Sequence, residues 1–148
     1  MLDGWLDFHR ATLLSKCEGL SDEQLTTRPV PPSALTLLGL VRHMTDVERG
    51  WCLPFLGRPA EPLYATEEDP DGEFDVTEAD PATDLARFRA ETQAIRAALE
   101  EHELDEVEVT PSRTLSLRWI CTHLLEEYAR HNGHADLLRE ALDGRTGM

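Results

Sequence analysis

A chain of 148 residues, 41% of them hydrophobic, suits one domain with a buried core and is too short for two comfortable ones. With 14 Lys and Arg against 29 Asp and Glu, the net charge of -15 repels a phosphate backbone and argues against nucleic-acid binding. No run approaches the roughly 18–20 apolar residues of a membrane span, and Met1 leads straight into Asp3 and Asp7 without a basic, apolar leader; a cytoplasmic protein without a membrane partner is expected.

Four helical segments and no convincing strand are predicted. The first runs from about Asp3 to Glu18, with Trp5, Leu6, His9, Leu13 and Cys17 at three-to-four spacing, and stops at Gly19. Ser21 and Gln24 have the spacing of a capping box for one short extra turn before Pro29. The second runs from about Thr36 to Leu53, with Leu37, Leu40, Val41, Met44, Val47 and Trp51 on its apolar face, and ends at Pro54 and Gly57.

Residues 58–80 form a proline-bearing, acidic connection long enough to cross a bundle. Antiparallel neighbours usually need only about 2–8 residues, so the helices it joins are expected to run parallel. The acidic run at 67–80 lacks EF-hand spacing and reads as a solvated loop. Asp80 and Pro81 make an N-cap with proline at the first helical position, opening a third helix with Leu85, Phe88, Thr92, Ile95 and Leu99. The fourth runs from near Thr114 to near Gly144. The whole, residues 1–148, is read as a single all-α domain, a four-helix bundle with a long crossover.

Cys17, Cys52 and Cys121 are an odd count without a CxxC pair and read as buried, reduced thiols. Lys16 is the sole lysine, Asn132 the sole asparagine, and Ile95 and Ile120 the only isoleucines, a bias typical of a GC-rich bacterial genome.

The fourth helix carries the chemistry. Its seam, in steps of three and four, reads Leu117, Ile120, Leu124, Glu127, His131, His134, Leu138 and Ala141. Three successive polar residues on a core-facing stripe need partners, because an unpaired buried carboxylate costs several kcal/mol. Glu127 and His131, four apart, project from one face and can share one metal ion. His43, between Leu40 and Val47 on the inward side of the second helix, supplies a third ligand. Two imidazoles and a carboxylate form a common zinc set that leaves one position open; nickel, cobalt or iron would fit in vitro. The competing explanation is a metal-free core histidine, His131, hydrogen-bonded to Glu127. His134 is either a fourth ligand or a partner orienting the site. His123, one turn before Glu127, lines the pocket or lies at the seam edge. His9 and His102 fall near core stripes at the bundle ends, and Cys52 lies half a turn away from His43.

The segments LLGLVRHMTDVERGW (37–51) and HLLEEYARHNGHADLLRE (123–140) resemble the DinB-like superfamily of metal-binding four-helix proteins. Within it they are most similar to the small mycothiol-dependent transferases, including those once called mini-circle proteins. Many DinB-like proteins have a third histidine where this chain has Glu127; the Glu-x-x-x-His form resembles the mycothiol-dependent maleylpyruvate isomerase and transferase branch. The resemblance implies His43, Glu127 and His131 as metal ligands and an up-down-down-up bundle. It also implies a low-molecular-weight thiol, mycothiol, as cosubstrate, in keeping with a GC-rich origin. The extra C-terminal domain of the isomerases has no counterpart in these residues, which directs the reading to transfer.

A thiol entering the open metal position is deprotonated on binding and can attack an electrophilic small molecule. On this reading Trp51 and Tyr128 wall the pocket, and Arg42 and Arg130 meet polar groups of the cosubstrate. Core packing explains the two aromatics equally well, and surface charge the two arginines. The expected function is therefore a zinc-dependent thiol S-transferase, with a homodimer as the assembly allowed. A non-catalytic metal-dependent thiol or metabolite binder is the alternative.

Overall fold

Side-chain caps fix where four of the described α-helices begin. A computed structural model, describing residues 1–109 and 114–147, places α1 at Leu2–Cys17, α2 at Asp22–Thr26, α3 at Leu37–Phe55, α4 at Pro81–Leu99 and α5 at Leu117–Asp143. Ser21 and Gln24 form the reciprocal capping box of α2. Thr36 Oγ1 accepts from Gly39 N at 2.9 Å at the start of α3, and Asp80 accepts from Ala82 N at 3.1 Å ahead of Pro81. Ser116 Oγ accepts from Trp119 N at 3.2 Å, and Gly144, at φ 77°, ends α5 in the left-handed conformation that glycine adopts without a Cβ clash.

The core lies between α1, α3, α4 and α5. α1 packs along α5, while α3 touches both α4 and α5. Leu13, Leu37, Leu38, Leu40, Met44, Phe88, Ile120, Leu124 and Tyr128 are fully buried. The three cysteines are buried and free. Among the described residues no helix is long and apolar enough to cross a membrane.

Four expectations need correction. β1 (Val107–Val109) pairs antiparallel with β2 (Thr114–Ser116), with Val107 opposite Ser116; three-residue strands are too short to carry a readable two-residue alternation. The last helix therefore begins at Leu117, not near Thr114. Pro54 lies inside α3 in its final turn rather than ending it. Trp5 is 54% exposed, and Arg10 and Lys16 take core-facing positions on α1.

The 58–80 connection is bound tightly to α3 and α4. Asp46 accepts the amides of Leu63 and Tyr64 at 2.8 and 3.1 Å. The Tyr64 hydroxyl donates to Asp84 at 2.9 Å. A single 3-10 turn, Gly72–Phe74, touches α3. A Cβ on Gly72 would lie 2.6 Å from Tyr64 O, so glycine is required there for a close backbone approach.

Candidate metal centre

His43 projects from α3 into contact with the 3-10 turn. Its ring stacks on Phe74 (centroids 5.3 Å apart, 25° between planes), and its Nδ1 lies 3.1 Å from Glu73 Oε1. A carboxylate at Nδ1 favours the Nδ1–H tautomer and leaves the Nε2 lone pair free. From α5, His131 Nε2 lies 3.4 Å from Glu127 Oε2, and the His131 and His43 ring centroids are 4.6 Å apart. One ligating atom from each of His43, Glu127 and His131 falls within 4.8 Å of the others. Among the described residues no other group of three His, Cys, Asp or Glu side chains converges so closely.

The donor set fits a divalent ion. Ligands of a tetrahedral zinc with bonds of about 2.1 Å lie about 3.4 Å apart, so the Glu127–His131 separation of 3.4 Å already matches. Burial, then His43 and His134, push the His131 pKa down to about 4, against the pull of Glu127. A neutral imidazole is the ligating form. The 3.4 Å contact exceeds the roughly 2.7–3.2 Å of an N–H···O bond, which weakens the metal-free hydrogen-bonded pair as an explanation.

The residues expected around this trio divide into two sets. His134 Nδ1 lies 3.3 Å from His131 Nδ1, on the ring nitrogen facing away from Glu127. His123 stacks on Trp119 (5.1 Å, 17°) and meets Trp51 edge-on (4.7 Å, 71°), with its Nε2 3.8 Å from Glu127 Oε1. Arg130 Nη1 donates to Glu127 Oε1 at 3.1 Å from a half-exposed side chain.

Tyr128 and Arg42 stand elsewhere. Tyr128 is fully buried and donates its hydroxyl to Glu48, so it cannot wall an open pocket. Arg42 donates to Asp84 at 2.6 Å and to Asp75 O at 2.7 Å, with its guanidinium over the Tyr64 ring; it holds the connection instead of facing a cosubstrate. His9 receives Asn132 and His102 pairs with Glu106, both as packed structural groups.

Glu73, Phe74 and Trp119 escape the sequence reading. Glu73 is only 8% exposed, although it sits in the acidic run that reads as a solvated loop. The available signal was Phe74 and Val76 interrupting that run, since apolar residues there require an inward turn.

The chain's own thiols are poor nucleophiles. Burial raises all three cysteine pKa values, Cys121 to about 11 and Cys17 to about 12, and the thiolate is the reactive form. A cavity of about 200 Å³, lined by Leu6, Arg10, Leu99, Leu117 and Cys121 among others, contains none of the three convergent residues. The electron-pair donors converge instead in the His–Glu–His cluster.

A family model described as MST, mycothiol-S-transferase, matches residues 1–144. No curated protein and no solved structure matches the chain.

Proposed function

The chain belongs to the mycothiol-S-transferase family, and we propose that it is a cytoplasmic, zinc-dependent enzyme joining mycothiol to an electrophilic small molecule. The observation that carries this reading is the convergence of His43, Glu127 and His131 within 4.8 Å. Three protein ligands leave a coordination position for substrate, whereas a structural zinc normally has four. The bundle is read as one domain over 1–148 with an up-down-down-up order, in keeping with the length of the 58–80 connection, and a homodimer is compatible with it.

When bound, the ion supplies Lewis acidity that lowers the pKa of a thiol sharing its open position. The protein's residues then do the rest. His131 and His43 present imidazole lone pairs, and Glu127 presents a carboxylate that accepts from Arg130. His134 sits against the His131 Nδ1 and sets that ring's orientation. Trp51, Trp119 and His123 pack on one another beside Glu127 and form an aromatic wall on that side. The thiol sulfur attacks an electrophilic carbon of the second substrate: a sulfur–carbon bond forms as that carbon's bond to its leaving group breaks (chloride, for monochlorobimane), and the thiol proton passes to solvent.

The test is conjugation of monochlorobimane to mycothiol, with bacillithiol and glutathione run in parallel, on protein of measured metal content. Acceleration with mycothiol that disappears on metal removal is expected. A fully loaded protein that accelerates none of the three thiols would instead be a metal-dependent binder.

A further inference from the structure

We propose that Glu73 is a positioning residue that acts on the metal through His43, coupling the 58–80 connection to metal affinity. This rests on the metal reading above. Glu73 Oε1 lies 3.1 Å from His43 Nδ1, while its Oε2 is buried without a protein hydrogen-bond partner. A buried carboxylate with a single imidazole N–H for company is under-compensated. A cation on the opposite nitrogen of that imidazole corrects the imbalance, because it makes the Nδ1 proton more positive and strengthens its bond to Glu73. The carboxylate in turn fixes the tautomer and the ring plane of His43.

The surrounding packing holds this arrangement in place. Phe74, the next residue, stacks on the same ring. A Cβ at Gly39 would come within 3.0 Å of Thr36 Oγ1 and 3.1 Å of Phe74 Cδ1, so the turn and α3 sit at the closest approach that glycine allows. Asp46, Arg42 and Tyr64 tie the connection down on either side of the turn. Glu73 is therefore delivered to His43 by a built strap.

Zinc affinity measured by chelator competition on the wild type, Glu73→Gln, Glu73→Ala and His131→Ala tests the proposal. We expect about tenfold weaker binding for Glu73→Gln and up to about 100-fold for Glu73→Ala, the range for lost metal-histidine partners, with His131→Ala weaker still. In metal-free protein, nitrogen-15 NMR should show His43 as the Nδ1–H tautomer in the wild type and a tautomer mixture in Glu73→Ala. A merely packed residue would not set a tautomer. Wild-type affinity and an unchanged tautomer in both Glu73 variants, with His131→Ala empty, would overturn the proposal and leave the functional reading standing. A loss confined to Glu73→Ala, matched by a lower melting temperature of the metal-free form, would also overturn it as a packing effect. A wild type that binds no zinc removes the metal reading, and this proposal with it.

Discussion

Glu48 and Tyr128 share their helices with His43 and Glu127, yet the two polar groups are completed in different ways. Around Glu48 every partner is internal. Arg10 donates from Nε and Nη2 to the two carboxylate oxygens at 2.7 Å each, and Tyr128 adds its hydroxyl, with Glu48 wholly buried. Two charges cancel and the hydrogen bonds close on themselves, which leaves nothing for a ligand to satisfy. The His43–Glu127–His131 group brings together two imidazoles and a carboxylate, whose nearest cation is the half-exposed Arg130. Its electron pairs face one another, and its Glu73 neighbour keeps an unpaired oxygen. A closed network stabilises a fold; an open one of similar composition, a short way along the same interface, is suited to binding.

The sharpest way to break this contrast is to empty the open cluster. Zinc content of His131→Ala, by elemental analysis, should fall from about one ion per chain to near none, with helicity by circular dichroism unchanged. Full metal content in that variant would show that the ligand set is wrong.

Attacking the closed cluster should do the reverse. Glu48→Ala leaves Arg10 charged and buried without its partner, at a cost of about 3–5 kcal/mol in denaturant unfolding. Metal stoichiometry in the fraction that remains folded should not change. A neutral outcome would mean that the pair contributes nothing to stability.

The third expectation concerns pH in protein stripped of metal. His131 holds off its proton until about pH 4 when folded, while the unfolded chain takes one up near 6.5. Between those values the unfolded state binds more protons, so stability falls as the pH drops from about 6.5 toward 4. The loss is at most about 3 kcal/mol. His131→Ala should flatten that part of the stability curve.

The smallest effect belongs to Tyr128→Phe. It deletes one hydrogen bond to Glu48 while Arg10 still covers both oxygens, a cost of about 1–2 kcal/mol. Zinc affinity should stay within twofold of wild type, checked by the same chelator competition; a larger change would mean that the two clusters are coupled.

By itself the sequence determined the helices and the three convergent residues. Ser21–Gln24, Thr36 and Asp80–Pro81 mark helix starts because capping is local hydrogen bonding. His43, Glu127 and His131 stand out because polar side chains on apolar stripes need a reason to be there. The phase of α5 was readable only in part. A stripe drawn in steps of three and four averages 3.5 residues per turn, and a straight helix drifts from it by about 20° per heptad. That drift carries Tyr128, Asn132 and Ala135 into the core and leaves Ala141 exposed, although the stripe pointed to Glu127, His134 and Ala141. Only the tertiary structure decided that Glu73 stands behind His43, that Arg42 holds the connection, and that Glu48 and Arg10 neutralise each other. These contacts join residues 30 to 42 positions apart. Helical periodicity relates residues within one element, whereas which side chain an irregular segment brings against a distant helix is set by packing of the whole chain.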